Sequence, residues 1–351
     1  MKRNSHVVVF DSKNFSNQRY QKVQDLDVQA TWCPQSKVEL LKTNSSHFKY
    51  LTTALQALCQ KNSVDFEKIP RDWFSDEGHS LSAPAYVTLQ NHVMKSAVWK
   101  KSNAAVHLGW RVQRDNIPQE VCIKQFPSAT RESCIQKEID ILKLIAQGEE
   151  PSKNNVIEFL GTDTNKGCTV LVFEMVQSSN FYTDLQSISM NKIALYTFKL
   201  LQALEFLNQK DVVHRDVKPD NFLHNFETNI FKLIDFGSSE KGTKGFQAKG
   251  GGTSGFKAPE ILMGAMHQTA AVDIWSAGII MLIMLTGDRY ILSRATEKDK
   301  NWTHLKEITA IVGWKKMHDV AVSLDVAEKF TSHVQYQQSG VISRNVRGWT
   351  A

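Results

Sequence analysis

The run VHRDVKPDN at Val213–Asn221 decides the fold, and IDFG follows it at Ile234–Gly237. Farther along the chain come GTSGFKAPE at Gly252–Glu260 and DIWSAG at Asp273–Gly278. Triplets within these runs occur singly by chance in unrelated proteins, so one of them alone carries little information. All four in this order, with the first one complete, indicate a single catalytic architecture.

With these motifs the sequence resembles the protein-kinase family over about residues 86–327. The resemblance implies transfer of the ATP γ-phosphate to protein hydroxyls. It implies that Asp216 orients the substrate hydroxyl and takes its proton, and that Lys218 reaches the transferring phosphate. Thr253 matches the threonine that braces this pair, which favours serine and threonine over tyrosine as substrates.

The same resemblance implies a metal site and a phosphate-gripping ion pair. Asn221 and Asp235 supply the hard oxygen ligands that suit Mg²⁺. Lys124, which ends the run VCIK, matches the strand lysine that holds the α- and β-phosphates. Its partner is expected to be a helix glutamate; Glu138 is favoured by its setting EIDIL, although Glu132 is nearer in sequence. Taken alone, a lysine such as Lys124 is far more commonly an exposed residue at a strand end, and only its order and spacing before the Asp216 motif favour the phosphate-binding role.

The same resemblance implies an adenine pocket. Each of its residues is also of a type that is ordinary in a hydrophobic core or a hinge. The resemblance places Val98, Val106 and Cys122 above the ring, Leu223 beneath it, Phe173 at the back, and Glu174 and Val176 in the hinge.

The hydrophobic pattern predicts the α+β class, as a two-lobed protein-kinase-like fold. A small antiparallel β lobe with one helix at Ser133–Ala146 precedes a large, mainly helical lobe. Apolar residues at three-to-four spacing predict a helix at Asn191–Asn208, and the nearly all-apolar run Ala271–Leu285 predicts a helix buried at the centre of the large lobe. Asp273, at the head of that run, is expected to anchor the catalytic loop.

The domain boundaries follow from this reading. We expect an N-terminal extension at 1–85, an N-lobe with hinge at 86–176, a C-lobe at 177–335 and a tail at 336–351. An amphipathic helix is predicted at His47–Gln60, either as a strut on the main domain or as a partner-binding helix.

Two features depart from the family pattern. The window Trp99–Val106, where the family has a glycine-rich phosphate loop, holds no glycine, so the backbone there should close less tightly on phosphates. Lys100 and Lys101 either supply charge instead or are surface lysines.

The second departure concerns an ion pair of the large lobe. In kinases an arginine pairs with the glutamate of APE, which here is Glu260, and this sequence has no clear counterpart of that arginine. Either a tail arginine such as Arg344 or Arg347 takes its place, or the large lobe loses the stability that this ion pair provides.

Within the kinases, the catalytic half resembles the cell-division-cycle-seven family, through HRDVKPDNFLHN at His214–Asn225 and AVDIWSAG at Ala271–Gly278. That resemblance implies a nuclear Ser/Thr kinase that acts in DNA-replication initiation and cell division. It also implies a regulatory activator subunit and acidic protein substrates such as the replicative helicase complex. A physical hint agrees with acidic substrates, because the activation segment at 238–257 holds four lysines and only one acid, Glu240.

Hydroxyls in the same segment raise a question of regulation. Ser238, Ser239 and Thr243 are candidates for a phosphate opposite Arg215. Hydroxyls are common in loops, however, and for the lysines of this segment the alternative is a solvated loop rich in glycine and lysine.

Composition bounds the remaining possibilities. The chain has 351 residues, 42% of them hydrophobic and 22% charged, with a formal net charge of +6. These values predict a globular protein and give little support to direct nucleic-acid binding. Five scattered cysteines without a CxxC pair favour reduced thiols, and the longest apolar run is about half the roughly 20 residues that cross a bilayer. We therefore expect a soluble intracellular protein without a membrane partner.

Two functions remain open at this level. The first is an ATP- and Mg²⁺-dependent Ser/Thr protein kinase, which rests on the complete set of motif residues. The alternative is a kinase-like binding scaffold without turnover, which the glycine-free loop and the irregular C-terminus favour.

Overall fold

In this computed structural model the described residues are 60, 86–95, 99–100, 104–112, 118–148, 154–292 and 300–334. They belong to two compact units: the first comprises Met1–Ile135 and Glu158–Gln177, and the second comprises Gln136–Ile157 and Ser178–Ala351. The helix predicted at His47–Gln60 lies outside the described residues except for Gln60. The boundaries between the four predicted segments stay predictions.

The first unit is built on one antiparallel sheet, whose strands run in the spatial order β1-β2-β4-β5-β7-β6 with β3 also paired to β4. The strands among the described residues are β1 (Tyr86–Thr88), β2 (His92–Lys95), β3 (Trp99–Lys100), β4 (Ala105–Val112), β5 (Pro118–Gln125), β6 (Phe159–Asn165) and β7 (Cys168–Glu174). The strand-rich first half that the sequence predicted is thus confirmed.

One face of this sheet forms a hydrophobic core. Strand β5 alternates with a period of two, and its residues Val121 and Ile123 are fully buried. On β7 the whole run from Val170 to Phe173 is buried, and Val170 and Val172 pack in the same core as Val121 and Ile123. Gly109 on β4 permits this packing, because a Cβ there would lie 2.4 Å from Ile123 Cδ1 and 2.9 Å from the Val93 carbonyl. A side chain at position 109 would therefore force β2 and β5 away from β4.

The second unit is mainly helical, as the sequence predicted. Its helices among the described residues are α1 (Glu132–Ile145, which begins in the first unit), α2 (Phe181–Asp184), α3 (Met190–Gln209), α4 (Pro259–Met263), α5 (Ala271–Thr286), α6 (Lys300–Val312), α7 (Trp314–Ser323) and α8 (Ala327–His333). Short antiparallel pairs accompany them: β8 (Val212–Val213) with β11 (Glu240–Lys241), β9 (Phe222–Asn225) with β10 (Ile230–Leu233), and β12 (Phe246–Gln247) with β13 (His267–Gln268).

Helix α3 sits where the three-to-four spacing placed it. Ser189 caps its N-terminus by accepting a hydrogen bond from the Lys192 amide at 3.4 Å. Its buried stripe includes Tyr196, which is fully buried and packs edge-on against Phe222. Since Phe222 directly follows the catalytic-loop motif, the buried stripe of α3 packs against the end of this loop.

Helix α5 matches its predicted span but not its predicted burial. Val272, Ile280 and Met284 are buried, as expected, and the helix packs against α3. However, Ile274 is 54% exposed and Met281 is 40% exposed. The prediction of a helix buried all round is wrong for this face, because helix packing covers only the side that faces α3 and the catalytic loop.

Across the part of the chain that the structure describes, no helix combines the length and the apolar character needed to span a bilayer.

Candidate active site

Asp216, Lys218 and Thr253 form one hydrogen-bonded group in the second unit. Lys218 Nζ lies 2.8 Å from Asp216 Oδ2 and 2.7 Å from Thr253 Oγ1. The Thr253 hydroxyl accepts from Lys218 and donates to Asp216 Oδ1 at 2.6 Å. The Asp216 and Lys218 side chains keep 17% and 18% of their surface exposed, so both stay accessible to a substrate. The contact between Thr253 and the other two residues is the one that the resemblance implied.

Asn221 joins this group through its amide nitrogen. Its Nδ2 donates to the Asp216 main-chain carbonyl at 2.9 Å and to Asp216 Oδ2 at 3.1 Å. These two bonds fix the orientation of the amide. Its Oδ1 is buried and has no hydrogen-bond partner among the described residues. A buried, unpaired carbonyl oxygen is costly, so this atom is free to bind a cation or a donor.

Asp273 anchors the loop that carries Asp216. Its carboxylate is buried and accepts the amide hydrogens of His214 at 2.7 Å and Arg215 at 2.8 Å. Burial raises the pKa of Asp273, while the adjoining amides and nearby positive charges lower it in part. Arg215 adopts a left-handed backbone with φ of 67°, which is unfavourable for a residue with a Cβ. The carboxylate of Asp273 holds this strained turn in place.

His214 ties the catalytic loop to the segment that carries Asp235. Its Nδ1 accepts the Asp216 amide hydrogen at 3.3 Å, so its Nε2 carries the proton and donates to the Ile234 carbonyl at 3.0 Å. The imidazole also packs edge-on against Phe236. Asp235 lies between these two contacts and has φ of 69°. The two predicted magnesium ligands therefore lie on segments that are joined by direct hydrogen bonds.

Glu138 on α1 lies against the same segment. Its side chain is buried, and a Cβ on Gly237 would lie 3.2 Å from Glu138 Oε2 and 3.6 Å from Asp235 Oδ1. Glycine at 237 thus allows two carboxylates to approach the backbone there. Glu132 begins α1, and its carboxylate lies 3.5 Å from the Thr169 hydroxyl.

Most of the predicted adenine residues of the first unit share one face of its sheet. Val106 on β4 pairs with Lys124 on β5, and Cys122 on β5 pairs with Phe173 on β7. Directly paired residues lie on the same face, and residues two apart along a strand do so too. This face is opposite the core formed by Val121 and its neighbours. Val106, Cys122 and Lys124 are half-buried on it.

The other residues predicted to contact adenine belong to different parts of the chain. Glu174 ends β7, and its amide and carboxylate both bond to the backbone of Glu158, at 3.1 and 2.9 Å. Val176 follows it and is half-buried, and Leu223 is half-buried on β9 of the second unit. Val98 lies outside the described residues.

The predicted phosphate loop covers β3 and the start of β4. Trp99 pairs with Val106, and Lys100 pairs with Ala105, so the two strands are antiparallel neighbours. The window without glycine therefore begins and ends in paired strands. Lys101 lies outside the described residues.

The activation segment exposes its positive charge. Lys241, Lys244 and Lys249 are exposed, and Lys257 is half-buried. Of the three hydroxyls considered above, Ser238 is exposed, while Ser239 is buried and donates to the His214 carbonyl at 3.3 Å. The Thr243 hydroxyl donates to Asp211 Oδ1 at 3.1 Å.

Glu260, in the APE triplet, has no ion-pair partner among the described residues. Burial raises the pKa of this carboxyl, and only its own backbone amide opposes the shift. Arg344 and Arg347, which the sequence offered as substitutes for the missing arginine, lie outside the described residues.

Two residues that position this site carried no sequence signal. Gln268 is buried; its Nε2 donates to the carbonyls of Ala248 and Gly250 at 2.9 Å, and its Oε1 accepts from Arg215 Nε at 3.3 Å. Glu240 was noted only as the single acid of a basic segment, but it forms ion pairs with Arg215 and Lys137. Both contacts join residues that are far apart in the chain, which no local motif encodes.

Comparison with known proteins agrees with this geometry. The family profile described as the protein kinase domain matches residues 109–340. A probable cell division control protein 7 homolog 2 of Encephalitozoon cuniculi is 27% identical over 239 residues, which cover 57% of this chain and 66% of the relative. The cell cycle serine/threonine-protein kinase hsk1 of Schizosaccharomyces pombe is 25% identical over 305 residues, covering 75% of this chain and 57% of the relative.

A third relative is named only as a protein kinase. Protein kinase gsk31 of Schizosaccharomyces pombe is 31% identical over 195 residues, which cover 52% of this chain and 46% of the relative. The chain thus spans less than two thirds of the length of each of these three relatives. The name of the first relative confirms the resemblance to the cell-division-cycle-seven group that the catalytic half of the sequence indicated, and the second is named a cell cycle kinase.

The match covers more than half of the chain and contains all four motifs. The antiparallel sheet of the first unit and the helical second unit agree with the two-lobed fold expected from the sequence. The chain belongs to the protein kinase family.

Proposed function

We propose that this chain is an ATP-dependent Ser/Thr protein kinase. The observation that carries the proposal is the contact of Asp216 with Lys218, Thr253 and Asn221, each at 3.1 Å or less. Catalysis of phosphoryl transfer depends on positioning and charge rather than on covalent chemistry of the protein, so such a pre-built group is what the reaction requires.

The chemistry follows from the placement of these groups. The substrate hydroxyl hydrogen-bonds to the accessible Asp216 carboxylate, which aligns its oxygen for in-line attack on the γ-phosphorus and takes its proton. The bond from the γ-phosphorus to the leaving ADP oxygen breaks as the new phosphorus–oxygen bond forms. Lys218 places a positive charge beside the transferring group, and Thr253 keeps Asp216 and Lys218 from moving apart.

The residues present fit a magnesium ion. Asn221 Oδ1 is a buried oxygen without a partner among the described residues, and Asp235 supplies a carboxylate from a segment linked to the catalytic loop. Mg²⁺ prefers oxygen ligands and is held in kinases by few protein groups together with phosphates. When bound, the ion would neutralise charge on the β- and γ-phosphates. Asn221 and Asp235 are the residues that would hold it.

We further propose that the substrates are acidic. The exposed lysines at 241, 244 and 249 lie in the activation segment, and their charge would attract serines set among acidic residues. Similarity to cell division control protein 7 homologs supports a role in the cell cycle, and with it a nuclear location, action in replication initiation and dependence on an activator subunit.

The test is transfer of labelled γ-phosphate to an acidic serine peptide, with and without a candidate activator. We expect the wild-type chain to transfer phosphate with Mg-ATP and Asp216→Asn to lose about 10²-fold or more of kcat. Lys241→Gln, which changes an exposed lysine and not the catalytic group, serves as the control and should raise only the peptide KM. Turnover that survives in D216N would disprove the assigned mechanism.

A binding scaffold without turnover is the second candidate. The glycine-free window between β3 and β4 favours it, because side chains there hinder closure of backbone amides on phosphates. Absence of transfer under all conditions, together with absence of a thermal shift by Mg-ATP, would favour the scaffold. Lys100→Ala with Lys101→Ala would raise the ATP KM if these lysines replace the glycines.

A further inference from the structure

The guanidinium of Arg215 is surrounded by acceptors from the activation segment. Its Nη2 donates to the Gly250 carbonyl at 2.6 Å, and its Nη1 lies 3.4 Å from the Ser238 carbonyl. The same Nη1 lies 3.5 Å from Glu240 Oε1. Only 8% of the Arg215 side chain is exposed, so these contacts replace nearly all of its hydration.

Other residues pack against the rest of the Arg215 side chain. Its guanidinium lies 5.4 Å from the centre of the Phe246 ring, and Gln268 accepts from its Nε. A Cβ on Gly251 would lie 2.5 Å from Nη2, so the backbone there approaches as closely as glycine allows. Within the described part of the second unit, Arg215 therefore holds the segment at 238–251 through contacts already made.

Glu240 links Arg215 to helix α1. Its Oε1 accepts from Lys137 Nζ at 2.5 Å as well as facing Arg215, and the Glu240 side chain is 26% exposed. Lys137 precedes Glu138, whose carboxylate lies against Gly237. Helix α1 thus contacts the chain just after Asp235 at two points, once through each of these neighbouring side chains.

The backbone places Glu240 for this double contact. Glu240 pairs with Val213 in the ladder of β11 and β8, directly before His214 and Arg215. The carboxylate is therefore delivered to the catalytic loop by a strand that leaves little freedom to its Cα. In kinases whose activation segment is ordered by phosphorylation, the added phosphate pairs with arginine in the same manner. Here an acidic side chain of the chain itself occupies that role.

The nearby hydroxyls are engaged in other contacts. Ser239 is buried with its hydroxyl on the His214 carbonyl, and the Thr243 hydroxyl donates to Asp211. A phosphate on Ser239 would require this contact to open. A negative group brought to Arg215 would also meet the carboxylate of Glu240 and be repelled.

We propose that Glu240 is a positioning residue of this kinase, which by pairing with Arg215 and Lys137 holds the activation segment and helix α1 in place without phosphorylation of that segment. This inference rests on the proposed kinase function. It assigns Glu240 no contact with the substrate.

The test compares Glu240→Gln with Glu227→Gln, an exposed glutamate in the turn after β9, in the full chain after phosphatase treatment. We expect the treated wild type and E227Q to retain activity and E240Q to lose about tenfold in kcat with little change in the ATP KM. Glu240→Asp, which keeps the charge, should recover part of the loss. A merely structural residue would not show this dependence on charge or this split between kcat and KM.

A second measurement does not require turnover. Amide hydrogen exchange should increase about tenfold in E240Q at β8, β11 and the turn of α1 that holds Lys137, and remain unchanged in E227Q. The proposal is overturned if E240Q matches the wild type in both kcat and exchange, or if phosphatase treatment abolishes wild-type activity. An inactive wild type whose exchange responds to E240Q would refute the proposed function while leaving the positioning role of Glu240 intact.

Discussion

Replacement of Asp273 is the sharpest test of how the fold builds the catalytic loop. The carboxylate is 4% exposed and accepts two main-chain hydrogen bonds, at 2.7 and 2.8 Å, from His214 and Arg215. Asp273→Ala leaves both amides buried without an acceptor. Asp273→Asn keeps one acceptor oxygen but turns an NH2 group toward the other amide.

The magnitude follows from these two bonds. Each buried donor left without a partner costs about 1–3 kcal/mol, so D273A, which leaves two, should lower the free energy of unfolding by about 2–6 kcal/mol. Burial raises the pKa of Asp273, which shows that its charge bears a desolvation cost. Both variants remove this charge, but D273N keeps an acceptor for one of the two amides, so it should lower the free energy of unfolding by only about 1–3 kcal/mol.

The assay is urea and thermal unfolding of the full chain, with Ile274→Ala as the matched control on the same helix. Ile274 is 54% exposed, so its truncation should change stability by no more than about 0.5 kcal/mol. D273A should lower Tm by about 5–15 °C for a domain of this size. Equal unfolding midpoints for D273A and I274A would refute the anchoring role.

Other predictions concern the site and its charges. Thr253→Ala removes hydrogen bonds of 2.6 and 2.7 Å and should lower kcat about 10-fold in the phosphotransfer assay, whereas Thr253→Ser should retain most of it. Asn221→Ala should raise the Mg²⁺ concentration needed for half-maximal nucleotide binding, as measured by calorimetry, because it removes the buried Oδ1. Burial raises the pKa of Glu260, so the folded state binds more protons than the unfolded state above the usual glutamate pKa, and stability falls as pH rises through that window. Glu260→Gln should abolish this fall and raise Tm at neutral pH in thermal scans; a lower Tm would instead reveal a cationic partner such as Arg344 or Arg347. Gly251→Ala should destabilise the chain in urea, because its φ is 115° and a Cβ would meet Arg215.

The local parts of the fold were predictable from the sequence. The stripe of α3 depends on spacing within one element, and it was found at its predicted place. The burial of α5 was overpredicted, because an apolar composition cannot tell which faces of a helix receive a neighbour. Ile274 and Met281 are therefore exposed although the sequence there is apolar nearly all round.

The candidate site shows the same division. Asp216, Lys218 and Asn221 lie within six residues of one another, so a motif could nominate them together. Gln268 and Glu240 act on Arg215 across 53 and 25 residues of chain, and neither stands in a motif. Only the folded chain shows that these two side chains converge on the same guanidinium.

The sequence by itself determined the family and the order of the lobes and nominated the reacting groups, because these depend on residue types at short, specific spacing. The tertiary structure decided which side chains form hydrogen bonds and ion pairs, with which partners, and which polar atoms have none among the described residues. Asn221 Oδ1 without a partner, Glu260 without a described cation and Arg215 enclosed by Glu240 are all consequences of long-range packing. The physical reason is that hydrogen-bond satisfaction and desolvation depend on every atom within a few ångströms, and most of those atoms are distant in the chain.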